Sequence, residues 1–157
     1  MPRAIAAALT TGGVVWLAAL LVSPLAVASP PRDSGSVAAL AVYAAGGRIC
    51  HQQPARSFTV GGTAMPVCAR CFGLYAAGAL GALAGWFPVR RRLATGVDRW
   101  WLAGAAVPTA LTWGLEFLGA AEFTNLTRAL AALPLGVAAG WLFVRRLREE
   151  AHPAPFA

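Results

Sequence analysis

The sequence predicts an all-α integral membrane protein with four transmembrane helices and one short interfacial helix, folded as a single membrane domain over residues 1–157. Three observations lead there. Hydrophobic residues make up 58% of the chain and charged ones only 12%, against roughly 45–50% and 25% in soluble domains. The apolar residues come in long runs, and the mean hydropathy is +0.61, as expected of helices that face lipid. All thirteen basic residues are arginines, and they gather at the ends of those runs or around the cysteines.

The net charge of +7 does not make a nucleic-acid binder. Such a protein needs a basic surface interleaved with groups that reach bases or grooves. Here clusters such as Arg90-Arg91-Arg92 and Arg145-Arg146 stand at the ends of apolar runs. That is where topology signals and contacts to anionic lipid head groups belong. Membrane lipid is the expected partner, and nucleic acid is not.

In chain order, residues 1–28 form a first span or a signal-like segment. Their apolar core, 4–22, stands behind Arg3 and is long enough to cross a bilayer. Ala26-Val27-Ala28 supplies a cleavage-type pattern, but the run exceeds a usual signal core and Pro30 and Pro31 crowd the cleavage point. A retained helix is therefore expected, and either reading puts the next segment outside the cytoplasm. Residues 29–36 read as a loop. Residues 37–49 are apolar but too short to cross, which predicts a helix lying in the interface.

Residues 67–87 read as the second span. Gly73, Ala77, Gly81 and Gly85 recur every four positions, a ridge of small side chains that lets a neighbouring helix approach. Pro88 and the three arginines end it. A short loop carrying Asp98 and Arg99 leads to the third span, 100–118. Trp100 and Trp101 stand there as an interfacial anchor, and Pro108 should bend it. The turn Gly119–Phe123 precedes the last span, 125–144, and residues 149–157, with His152, read as a polar tail.

With both ends inside, the inner segments hold Arg3, Arg90, Arg91, Arg92, Arg99, Arg145, Arg146 and Arg148. The outer side holds Arg32, Arg48, Arg56, Arg70 and Arg128. The excess inside places the stretch 50–71 on the extracytoplasmic side.

That stretch, CHQQPARSFTVGGTAMPVCARC, contains every cysteine of the chain. Cys68 and Cys71 have C-x-x-C spacing after Pro66. On a first helical turn, residues three apart share a face, so both sulfurs can meet one ion or each other. A helix N-terminus favours the thiolate. Cys50 and His51 can supply two more ligands, giving a tetrahedral set of three thiolates and an imidazole suited to zinc or another transition metal. A redox dithiol exchanging with Cys50, and a structural disulfide with one spare thiol, are the other readings. Pro66-Val67-Cys68-x-x-Cys71 also echoes a deaminase element, but its H-x-E partner is missing.

Other polar residues belong at the same depth. Glu116 stands near the outer end of its span, and Asn125 and Arg128 share a face at the start of the next. An ionisable residue at membrane depth points to function, although a Glu116–Arg128 or Glu122–Arg128 pair could merely settle helix ends. Asn125-Leu126-Thr127 fits a glycosylation acceptor, but a helix start is expected there. Arg56, Arg70, Glu116 and Arg128 are the candidate catalytic groups, with Gln52, Ser57 and Asn125 as candidate substrate-binding groups. A scaffold zinc needs no arginines beside it, whereas an anionic substrate such as a lipid phosphate would use their planar forks.

The order Cys50-His51-Gln52, Pro54, Arg56-Ser57-Phe58, then Pro66-Val67-Cys68-Ala69-Arg70-Cys71 and Gly73 resembles the DUF2085 family of small predicted membrane proteins of bacteria and archaea. The resemblance runs from about Tyr43 to the last span. Pro108, Asn125 and Arg128 fit its later pattern, while Thr112 and Glu116 stand where the family usually has Asp and Gln. It implies a bacterial or archaeal cytoplasmic membrane and strengthens the fold and the site, and it supplies no reaction. Three function classes stand: a membrane metalloprotein acting on a lipid or other anion, a membrane thiol–disulfide oxidoreductase, and a non-enzymatic metal- or lipid-binding module.

Overall fold

The computed structural model describes residues 1–28, 34–87 and 97–150. Among these residues the protein is all-α apart from one small hairpin. Helix α1 spans Pro2–Ala28 and α2 spans Ser34–Ile49. A 3-10 turn at Pro54–Arg56 and a hairpin of β1 (Thr59–Val60) and β2 (Thr63–Ala64) come next. Helices α3 (Ala69–Ala84), α4 (Val97–Phe117) and α5 (Asn125–Glu150) complete the chain.

Several boundaries differ from the sequence reading, each for a local reason. Helix α3 begins after Cys68, not at Val67, because Cys68 is held extended (φ −67°, ψ 160°) as its N-cap, and it ends at Gly85. Helix α4 starts early enough to take Asp98 and Arg99 into its first turn. There Asp98 meets Arg146 of α5 at 2.5 Å, so these charges pair instead of forming a loop. Helix α5 continues to Glu150, six residues past the predicted end at Val144, where Arg145 pairs with Glu149 one turn on. Helix α2 begins at Ser34. The expectations for Arg32, for Pro88 with Arg90-Arg91-Arg92, and for His152 fall outside the described residues.

Among the described residues two helices, α1 and α5, are long and apolar enough to cross a membrane. Helix α4 has 21 residues, but its tryptophans, threonines, glycines and Glu116 dilute its apolar character. Helices α2 and α3, at 16 residues each, would reach only about 24 Å.

The ridge on α3 is the packing seam of the bundle. A methyl group on Gly73 would strike the backbone of Ala129, one on Gly81 that of Val137, and one on Gly140 that of Gly78. Helices α3 and α5 therefore touch main chain to main chain. Van der Waals contact of this kind is what holds helices together where no hydrophobic effect operates.

Helix α1 packs across the same bundle. Near one end, Trp86 donates to Thr10 Oγ1 at 2.9 Å. Near the other, Leu20 is fully buried with Met65 and Val67, and Trp16, Cys50, Cys71, Phe72 and Tyr75 pack against that cluster. Helices α4 and α5 run antiparallel, joined at opposite ends by Asp98–Arg146 and Glu116–Arg128. The bundle thus has one end bearing the cysteines, Glu116 and Arg128, and another bearing Arg145, Arg146 and Arg148.

Candidate metal centre

Helix α2 ends at Ile49, and Cys50 comes directly after it, with its N–H still bonded to Gly46 O at 2.9 Å. The chain then reverses at Gln52, which adopts a positive φ of 47°. Such a conformation costs a non-glycine residue free energy and persists only where surroundings fix it. Here the Gln52 amide donates to Tyr43 O at 2.7 Å and to Pro66 O at 2.8 Å. Gly46 and Gly47 make room for it: a methyl at Gly46 would strike Pro66 O, and one at Gly47 would stand 3.0 Å from Gln52 Oε1. Gln52 pulls the Pro66–Cys68 segment back against α2.

The hairpin does the same from the other side. Gly61 and Gly62, both at positive φ, turn the strands, and Tyr43 donates to Ala64 O at 2.5 Å. Sequence reasoning missed this hairpin, although Val60-Gly61-Gly62-Thr63 carries its signature of two glycines between β-branched residues.

The result is convergence of the thiols. The Sγ atoms of Cys50, Cys68 and Cys71 all lie within 4.8 Å of one another. Two ligands of a tetrahedral zinc with Zn–S bonds of ~2.3 Å stand roughly 3.8 Å apart, so small side-chain rotations would suffice. Cys68 N–H donates to Cys50 Sγ at 3.1 Å, which fixes the third sulfur over the helix start. All three thiols are free and half-buried. The Cys71 thiol, donating to Cys68 Sγ, is the largest influence holding Cys68 well below the usual thiol range, at about 5; burial opposes it, and the Cys71 and Arg70 N–H groups and Cys50 assist.

His51, the fourth ligand expected from sequence, does not join this group. Its side chain is exposed, because the turn that brings Cys50 inward sends its neighbour out. The structure thus assembles three of the four predicted ligands.

A buried ionic network stands at the same end of the bundle. Glu116, with its side chain only 5% exposed, takes Arg70 NH2 on Oε2 at 2.9 Å and Arg128 NH2 on Oε1 at 2.6 Å. Arg128 NH1 donates to Asn125 Oδ1 at 2.8 Å. Asn125 Nδ2 in turn donates to Ser57 O at 3.0 Å and more weakly to Ala55 O at 3.3 Å. Helices α3, α4 and α5 and the cysteine loop are therefore tied through one carboxylate. The sequence suggested Glu116–Arg128 but gave no sign that Arg70, 46 residues away, would share the same acid.

Four of the predicted polar residues, Arg70, Glu116, Asn125 and Arg128, meet directly. Ser57 joins through its backbone, while its buried hydroxyl donates to Gln53 O at 3.0 Å. Arg56 is exposed. Gln52 spends its amide protons on Tyr43 O of α2 and on Pro66 O. Arg70 Nε is buried with no partner among the described residues. An orphaned buried donor of this kind calls for a water or a ligand oxygen.

A helical bundle with long apolar helices and a cluster of three thiols at one end defines a class: a small membrane-type protein with a cysteine site. The chain belongs to the DUF2085 family, described as predicted membrane proteins, whose pattern it matches over residues 50–142. It is 33% identical over 99 residues to an uncharacterised protein of Methanocaldococcus jannaschii, covering 62% of each chain. It is 34% identical over 94 residues to an uncharacterised protein of Methanothermobacter thermautotrophicus, covering 57% of this chain and 78% of that one. The chain thus spans less than two thirds of the Methanocaldococcus relative. No solved structure matches it. The matched region begins at Cys50 and contains the three cysteines and the whole Glu116 network.

Proposed function

We propose that this is a polytopic membrane protein of four spans whose extracytoplasmic end carries a thiolate metal site of zinc type, acting on an anionic substrate such as a lipid phosphate. The observation that carries the reading is the approach of three sulfurs, from positions 50, 68 and 71, to within 4.8 Å of one another. Cys50, Cys68 and Cys71 would hold the ion. A metal there would act as a Lewis acid and could lower the pKa of a bound water. Arg70, with its orphaned Nε, and exposed Arg56 are the groups suited to an anion, and Glu116 and Arg128 set the position of Arg70.

Helices α1, α3, α4 and α5 are the proposed spans, the 16-residue α3 crossing where the bilayer thins locally to match its length. Burial of Leu20 and Ala6 of α1 in the bundle favours a retained first helix. The cluster of arginines at the other end of the bundle favours that end for the cytoplasm.

The approach of the Cys68 and Cys71 sulfurs to within 4.8 Å of each other, with the Cys68 thiol lowered by its neighbour, gives a second reading, in which the pair cycles between dithiol and disulfide. Metal and thiol analysis of protein purified from membranes separates the two. About one zinc per chain, lost on Cys68→Ser, supports the metal site. Metal-free protein that forms a Cys68–Cys71 disulfide with oxidant and releases it to reductant overturns it in favour of redox chemistry.

A further inference from the structure

At the arginine end of the bundle, helices α4 and α5 leave a groove of about 940 Å³ between them, lined by Trp101, Gly104 and Ala105 of α4 and by Leu133, Val137 and Trp141 of α5 among others. Its walls are almost wholly apolar. We propose that this groove is a binding site for one anionic phospholipid, with an acyl chain along the groove and the head group at the arginines of its mouth.

Three observations identify the occupant. The first is depth. The α5 wall runs from Leu133 to Leu142, nine helical steps or about 14 Å at 1.5 Å each. That is close to half of the ~30 Å hydrocarbon core, so the groove is one leaflet deep. The second is the mouth. Trp100 and Trp101, 70% and 61% exposed, and Trp141 stand there, where amphipathic rings mark the head-group level. The third is charge. Arg99 stacks on Trp100 at 5.6 Å and Arg145 on Trp141 at 4.8 Å, which sets both guanidinium groups beside rings that line the groove. Arg145 and Arg146 are matched by Glu149 and Asp98. Arg99 has no carboxylate partner among the described residues, which leaves the mouth net positive and suited to a phosphate that carries no choline.

Gly104 makes the site testable with little disturbance of the helix packing, because a Cβ added there meets no atom within 4 Å. Gly104→Phe would project a ring into the groove, and Arg99→Gln would remove the unpaired charge. The proposal rests on the four-span reading, so carbonate extraction of membranes is done first. Release of the chain into the soluble fraction would overturn the span reading and this site together.

For protein that stays integral, delipidated samples are titrated with phosphatidylglycerol or phosphatidylcholine and read by native mass spectrometry and thermal unfolding. One phosphatidylglycerol is expected to be retained per chain, in preference to phosphatidylcholine. Arg99→Gln should cut that preference about fivefold, as expected for one basic residue at an anionic interface. Gly104→Phe should lose the lipid while unfolding at the wild-type temperature in lipid-free detergent. Equal retention of both lipids, retention by Gly104→Phe, or a dimer that buries the groove against a second copy would each overturn the proposal.

Discussion

Arg128 grips Glu116 by a single oxygen: its Nε and NH2 stand 2.7 and 2.6 Å from Oε1, which leaves Oε2 for Arg70 at 2.9 Å. One carboxylate thereby serves two guanidiniums from two other helices. The Arg128 and Arg70 side chains are 11% and 19% exposed, so neither can turn fully to water if the acid is lost.

Glu116→Gln is therefore expected to destabilise the protein by about 3–5 kcal/mol, the usual consequence of leaving a buried charge unpaired. Thermal unfolding in detergent measures it. A loss below about 1 kcal/mol, the range of solvent-exposed pairs, would mean that water already shields this triad. The same substitution should also loosen Asn125 from the cysteine loop, visible as faster proteolysis between Ala55 and Phe58.

The cysteine cluster predicts an unequal response among four residues. Cys50→Ser, Cys68→Ser and Cys71→Ser should each abolish stoichiometric metal binding, because each removes one of three converging sulfurs. His51→Ala should retain it, since that ring lies outside the group. Cobalt substitution gives a readout independent of activity: the thiolate-to-cobalt absorption should vanish in the cysteine variants and persist unchanged in His51→Ala. A changed spectrum in His51→Ala would restore the histidine as a ligand.

Cys68 supplies a pH dependence. Its thiol is held at about 5, below the ~8.5 of a free cysteine. Above pH 5 it is a thiolate in the folded protein, and as pH falls through 5 it takes up a proton and becomes inert. In metal-free protein, the rate of alkylation at Cys68 should rise with a midpoint near pH 5, while that of an unfolded control rises near 8.5. Mass spectrometry of peptides after a short iodoacetamide pulse at pH 6.5 makes the check. Labelling of Cys68 no faster than in the unfolded control would refute the depression. If the cysteine end faces outward as proposed, an impermeant reagent on intact cells should label Cys68 without lysis.

Much of this architecture was legible in the sequence because it depends on composition and short spacing. The α class came from long apolar runs, the seam from small residues every fourth position, and two of the sulfurs from their separation of three. What escaped depends on three-dimensional closure. His51 is exposed beside a chain reversal at Gln52, whose φ is positive, and the type of residue gives no sign of that backbone. The start of α3 was set by Cys68 as N-cap rather than by hydropathy. Arg70–Glu116 and Asp98–Arg146 join residues 46 and 48 positions apart, beyond any periodicity. The hairpin at Gly61-Gly62 was readable and was overshadowed by the cysteines around it.

The seam between α3 and α5 gives the last prediction. A methyl group on Gly140 would strike Gly78 O and stand 2.8 Å from Ala82 N, both main-chain atoms that cannot swing aside. The helices would have to separate, and every close contact from Gly73–Ala129 to Gly85–Val144 would loosen with them. Gly140→Val should therefore cost about 1–3 kcal/mol or more, the range of overpacked cores. Gly114→Ala is the matched control: nothing lies within 4 Å of an added methyl there, and alanine is the better helix former in water by about 1 kcal/mol. Thermal unfolding of both variants in the same detergent should show a clear drop for the first and none for the second. If both unfold alike, the two backbones are not in contact in the membrane protein, and the cysteine site, which is built on the first turn of α3, loses the support that fixes its position.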